Sequence, residues 1–109
     1  MECSFQWDHE VPEKAQQLTI SLKGELVSEN ALSVREKVQE HMERANALQV
    51  VLFDLWNLEY IDSAGLGVFI WLQKIHDEEG LRIQIRGLHD QLEKVFSLTR
   101  LGKRFEIVE

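Results

Sequence analysis

Val50-Val51-Leu52-Phe53 is an unbroken apolar run that ends in Asp54-Leu55. A half-buried strand alternates apolar with polar residues, and an amphipathic helix keeps a polar stripe. A short continuous run rich in β-branched and aromatic side chains therefore fits a central strand covered on both faces. The rest of the chain must supply neighbouring strands and the helices that cover them.

Residues 5–10 alternate weakly, with Phe5, Trp7 and His9 on one side, and read as a first strand. Val11-Pro12-Glu13-Lys14 reads as a turn, because proline fixes φ and the charged neighbours prefer water. Leu18, Ile20 and Leu22 alternate with Thr19, Ser21 and Lys23, the period of a half-buried strand, which Gly24 is expected to end. Residues 28–45 read as an amphipathic helix, with Ser28 or Asn30 as cap and Leu32, Val38, Met42 and Ala45 near one stripe. Residues 56–60 read as a connection. A second helix spans residues 63–79 and stops at Gly80. Leu81, Ile83 and Ile85 mark another strand. Asp90 can cap a third helix to about Leu98 that buries Leu92, Val95 and Phe96. Gly102 breaks the chain before a short last strand, residues 105–108. The order β-β-α-β-α-β-α-β predicts an α/β fold, with a small mixed β-sheet of four to five strands and three main helices.

Composition narrows the function. The 109 residues, 44% hydrophobic and 28% charged, suit one globular domain. No apolar run reaches the ~18 residues needed to span a bilayer, and the first residues lack the basic and apolar blocks of a cleaved signal, so a cytoplasmic protein without membrane insertion is expected. Twelve Lys and Arg against nineteen Asp and Glu give a net charge of −7. Nucleic acid as a partner is disfavoured, because neutralising phosphates needs a basic surface. A single cysteine, Cys3, cannot form an internal disulfide.

Asp62-Ser63-Ala64-Gly65-Leu66-Gly67 joins the buried strand region to the second helix, and three readings of it stand open. A serine at a helix start caps free backbone amides. The same amides and the positive dipole end accommodate phosphate, free or attached to serine. Two glycines in the first turn let another backbone or surface approach closely. The helix that follows is apolar nearly all round, at Leu66, Val68, Phe69, Ile70, Trp71 and Leu72. One face covers the sheet, and the remainder packs under neighbours or forms an exposed apolar patch. Leu66, beside the glycines, is the foremost candidate for a contact outside the chain.

The run from Val51 through Asp54-Leu55-Trp56-Asn57-Leu58-Glu59-Tyr60-Ile61-Asp62-Ser63-Ala64-Gly65-Leu66-Gly67 to Val68 resembles the signature of STAS domains, especially those of bacterial anti-sigma factor antagonists. Leu22-Lys23-Gly24-Glu25-Leu26 is similar to that family's Gly-Glu-Leu segment after the second strand. The resemblance implies a single STAS-like domain over residues 1–109 that works as a switch without being an enzyme. Ser63 would be phosphorylated by a serine protein kinase that is itself the anti-sigma factor. The unphosphorylated form would bind that kinase and release a sigma factor, and a PP2C-type serine phosphatase would reverse the modification. Glu25, Leu26, Asp62, Ser63, Ala64, Gly65, Leu66 and Gly67 would form the partner-binding surface. Two positions depart from the family pattern. Val27 stands where an aspartate is frequent, and Ala64 stands where a second hydroxyl is frequent, which leaves Ser63 the only hydroxyl of the motif. The alternative function is a constitutive STAS scaffold subunit that braces a transporter ATPase or joins a stress-signalling assembly.

Other constellations are thin. His9, His41, His76 and His89 are scattered, and none has a second histidine or cysteine at metal-ligand spacing. Asp54 at a strand end suggests a phosphoaspartate receiver, but the first strands offer no acidic pair for Mg²⁺. Asp62-Ser63-Ala64-Gly65 is not a Gly-x-Ser-x-Gly elbow, and Gly65-x-Gly67 lacks the third glycine of a dinucleotide fingerprint. No cofactor, metal or acid–base pair is expected.

Overall fold

A computed structural model describes residues 3–7, 17–44 and 49–108. The expected turn at residues 11–14, His9, and the ends of the first strand and first helix at residues 8–10 and 45 lie outside this set. The central strand, β3 (Val50–Asp54), buries Val51, Leu52 and Phe53 in succession, as the apolar run demands. β2 (Gln17–Leu26) lies parallel on one side of it and β5 (Arg82–Arg86) parallel on the other. β1 (Cys3–Trp7) pairs antiparallel with β2, and β6 (Glu106–Val108) pairs parallel with β5. The predicted mixed sheet is present, in the order β1-β2-β3-β5-β6.

The sheet also holds a sixth strand that periodicity missed. β4 (Leu58–Ile61) pairs parallel with the far end of β2. Leu58 and Ile61 are buried while Glu59 and Tyr60 face out, so the alternation that identifies a strand is absent. Gly24 does not end β2. It adopts φ 99°, its N–H donates to Asn57 O at 3.1 Å, and the ladder shifts register between Gly24 and Glu25. The first half of β2 thus pairs with β3 and the last three residues with β4. A bulge of this kind lets one strand serve two neighbours.

α1 (Ala31–Arg44) turns Ala31, Val34 and Val38 inward, with Met42 half-buried. Leu32 is 65% exposed and does not belong to that stripe, because the 3.6-residue period runs through its neighbours. Asn30 precedes the helix, but its side chain faces backwards: Oδ1 accepts from Val27 N–H and Nδ2 donates to Glu25 O. α2 (Ser63–Glu79) has the predicted bounds, and Gly80 closes it at φ 69° with its N–H on His76 O. α3 (Asp90–Leu98) occupies its predicted span, yet Asp90 is not the cap. His89 holds that position without a side-chain bond, and Asp90 takes a left-handed φ of 48°. Gly102 does not break the chain either. It lies inside α4 (Leu101–Arg104), and the break falls at Arg100, φ 62°.

Phe69 joins the layers. Its ring meets Phe53 of β3 at 5.7 Å, Phe96 of α3 at 5.2 Å and Phe105 before β6 at 6.5 Å, all edge to face. This geometry matches the positive ring edge of one partner to the negative face of the other. Trp71, two residues further along α2, is half-buried under the Arg35 guanidinium of α1 at 4.9 Å. Phe69→Ala is expected to lower unfolding free energy by about 3–5 kcal/mol in urea titrations, because it removes a fully buried ring that contacts three other rings.

Candidate functional site

The segment that begins α2 and the Gly-Glu-Leu segment of β2, far apart in sequence, meet in space. β4 runs beside the end of β2, so Ile61 pairs with Leu26, and Asp62 N–H donates to Leu26 O at 3.2 Å. Asp62 then leaves the strand with extended backbone and becomes the helix cap. Its Oδ1 accepts from Gly65 N–H at 2.8 Å, and its main-chain carbonyl accepts from Leu66 N–H. Its second oxygen, Oδ2, accepts from Ser28 N–H at 2.9 Å, across 34 residues. One carboxylate therefore caps α2 and ties it to the loop that leads into α1.

The cap is Asp62 and not Ser63, which decides one of the three readings. Ser63 is the first helical residue, exposed, and no hydrogen bond among the described residues engages its hydroxyl. The Gly65 amide, opposed by desolvation and aided by the Ser28 and Ala64 amides, holds the Asp62 carboxyl below the usual aspartate range.

The two glycines have different reasons. Gly65 is buried, and a Cβ there would run into Leu26 O and meet Ile61 Cγ1 at 2.8 Å. It is absent a side chain so that α2 can approach β2 within the molecule. Gly67 is exposed, and a Cβ on it would meet nothing within 4 Å. The openness at Gly67 faces outward.

Burial sorts the residues assigned to partner binding. Leu26 and Gly65 are buried, so they shape the surface and do not present side chains on it. Glu25, Asp62 and Leu66 are half-buried, and Leu66 packs against the core. Ser63, Ala64 and Gly67 are exposed. The apolar side chain that α2 does present is Ile70, 52% exposed, one turn beyond Gly67. Tyr60, 43% exposed beside Glu25 on the β4–β2 pair, adds an aromatic rim that the sequence pattern concealed inside a connection.

Asp54 forms an ion pair with Arg86 at 2.8 Å and accepts from Trp56 N–H, the role of a strand-end brace. Among the described residues no cluster of three His, Cys, Asp or Glu is placed to hold a metal ion, and no helix is long and apolar enough to cross a membrane. His76 closes α2 through Nδ1 on Leu81 O, and His41 bonds Lys37 O within α1.

Gly65→Ala is expected to cost roughly 1–3 kcal/mol, since β2 or α2 must shift. Gly67→Ala, with open space and a better helix former, is expected to leave stability equal or raised by up to about 1 kcal/mol. Denaturant midpoints of the two variants compare them directly. The Asp62 clasp carries a pH signature. A carboxyl with a depressed folded pKa stabilises above its unfolded pKa, and that stabilisation is lost as pH falls through the folded value. The stability gap between wild type and Asp62→Ala should be full at neutral pH and close in acid, read by urea denaturation from pH 7 to pH 2.

Comparison with known proteins agrees with this geometry. The family model described as "Mlab, STAS domain" matches residues 9–109. The anti-sigma-B factor antagonist of Bacillus subtilis is 28% identical over 98 residues, covering 90% of this chain and 87% of that protein. The crystal structure of TM1081 from Thermotoga maritima superposes with a TM-score of 0.80 at 23% identity, over 96% of this chain and 86% of that one. The anti-sigma factor antagonist SpoIIAA of Bacillus, solved unphosphorylated and phosphorylated, superposes at 0.71 and 0.70, with 20% and 21% identity. These alignments cover 97% of this chain and 88% and 92% of the SpoIIAA chains. With the strand order, the Asp62-capped helix and a family model spanning nearly all its length, the chain belongs to the STAS domain family, among relatives that are anti-sigma factor antagonists.

Proposed function

We propose that this protein is an anti-sigma factor antagonist switched by phosphorylation at Ser63. The observation that carries the reading is an exposed hydroxyl, without a hydrogen-bond partner among the described residues, on the first turn of a helix whose outer face continues through Ala64, Gly67 and Ile70. Such a face offers a second protein a small-residue saddle with one apolar anchor, beside the group to be modified. The names of its relatives support an anti-sigma factor as that second protein. The partner is a serine kinase that supplies ATP, Mg²⁺ and the base, while this chain supplies the acceptor and the docking surface. Ser63 Oγ bonds to the γ-phosphorus, the bond from that phosphorus to the β–γ bridging oxygen breaks, ADP leaves, and the hydroxyl proton passes to the partner's base. A PP2C-type phosphatase returns the hydroxyl by hydrolysis.

Phosphate adds a charge of about −1.5 to −2 to a chain that already carries −7. At a helix N-terminus the backbone dipoles tolerate it, so the fold persists. The effect falls on the interface, through bulk next to Gly67 and repulsion from acidic partner groups, to which the Asp62 carboxylate adds. A loss of about 3 kcal/mol weakens a complex more than a hundredfold, enough to open a micromolar one.

The test incubates wild-type and Ser63→Ala protein with native cell extract and ATP, followed by intact mass and recovery of bound proteins. Phosphate is expected on Ser63 of the wild type alone, with an anti-sigma kinase retained by the unmodified forms and lost from the phosphorylated one. Ser63→Asp should bind less tightly than wild type. An unmodified Ser63, with a transporter ATPase or scaffold retained equally by both forms, would replace this reading with the constitutive scaffold.

A further inference from the structure

β4 hydrogen-bonds to β2 along one edge, and among the described residues no strand pairs with its other edge. At Ile61, the last residue of β4, a side chain takes the place of a strand. Gln91 Oε1 accepts from Ile61 N–H at 3.1 Å, and Gln91 Nε2 donates to Ile61 O at 2.9 Å. Two opposed residues of an antiparallel pair exchange the same two bonds, so the primary amide reproduces one rung of a ladder. Both bonds are partly buried, which limits the competition from water.

The amide is aimed from both sides of its own backbone. Gln91 is the second residue of α3, after Asp90 in its left-handed conformation. Before that, the His89 ring stacks on Trp56 at 6.1 Å between centroids and 8° between planes. Leu92, on the next position, is fully buried. Ile61 in turn immediately precedes Asp62 and Ser63. The turn that presents the hydroxyl is thus held by Leu26 of β2 through Asp62 N–H, by Ser28 through the Asp62 carboxylate, and by α3 through Gln91.

We infer that Gln91 is a positioning residue for Ser63, fixing the acceptor hydroxyl through its two-bond rung on Ile61; this rests on the reading of Ser63 as the phosphorylation site. Phosphoryl transfer requires the attacking oxygen in line with the bond that breaks, and a displacement of about 1 Å can cost on the order of 100-fold in rate. An amide is needed because it both donates and accepts. Leucine at this position makes neither bond. Glutamate, when ionised, keeps an acceptor for Ile61 N–H but turns a second acceptor toward Ile61 O, whereas protonated glutamic acid donates again.

The first measurement needs no partner: amide hydrogen exchange by NMR on wild type, Gln91→Leu and Gln91→Glu. In Gln91→Leu, the Ile61 and Gly65 amides should exchange at least tenfold faster while those of β3 and β5 keep wild-type protection. The Asp62 carboxyl should also titrate closer to its ordinary value. Gln91→Glu should fall between wild type and Gln91→Leu at pH 7, since it keeps the acceptor for Ile61 N–H and loses the donor to Ile61 O, and should regain protection once its own carboxyl is protonated. Protection lost evenly across the chain, or unchanged at Ile61 and Gly65, overturns the inference. The second measurement is the initial rate of Ser63 phosphorylation in native extract with ATP, expected to fall tenfold or more in Gln91→Leu with the folded fraction unchanged. A local loss of protection with an unchanged rate overturns the inference as well. Absence of modification in wild type overturns the Ser63 reading instead, and the exchange data still decide whether Gln91 holds the turn.

Discussion

The Asp62 carboxylate is the interaction on which the site depends. It stands where β4 ends and α2 begins, and its two oxygens take amides from two different parts of the chain, Gly65 and Ser28. A cap satisfies one of the free amides of a helix start, and a carboxylate also complements the positive end of the dipole. Here the same group does a third thing by joining the loop before α1 to the start of α2. Because Asp62 takes the capping role, Ser63 is released from it, and among the described residues its exposed hydroxyl has no hydrogen-bond partner.

The inner and outer faces of the first turn of α2 have opposite requirements. Inside, Gly65 lies against the Leu26 carbonyl, and Val68, Phe69 and Leu72 fill the space over the sheet. Outside, Ser63, Ala64 and Gly67 keep the backbone low, and Ile70 supplies the one large apolar group. A rigid inner face with a bare outer face suits a surface that another protein covers closely. It also suits a control that acts by changing what fits there, since a phosphate on the outer face disturbs none of the inner contacts.

Much of the fold was legible from local pattern. The unbroken run 50–53 identified the central strand, alternation identified β2 and β5, and Gly80 marked the end of α2, because each rests on a local preference. β4 was illegible for a specific reason: four residues with buried ends and an exposed middle carry no period of two. Its partner was hidden as well, since Gly24 reads as a stop in a single strand and becomes a bulge only when two neighbours compete for β2. Leu32 was placed on the buried stripe and is exposed, an error of one position on a helix where Ala31 and Val34 define the inner face. Gln91 gave no signal at all. A glutamine in a helical first turn is ordinary, and only its place beside Ile61 at the end of β4 gives its amide a task.

The sequence by itself determined the alternation of strands and helices, the limits of α2, and the motif that carries the family resemblance. These follow from hydrophobic period, backbone conformational preference and residue identity, all of which are local. The tertiary structure decided which group caps α2, which glycine faces inward, and which of the motif residues reach the surface. Those outcomes depend on Leu26, Ser28 and Gln91 arriving beside residues 61–65 from distant points of the chain. Contacts between such distant segments are set by the packing of the whole sheet, and no window along the chain contains them.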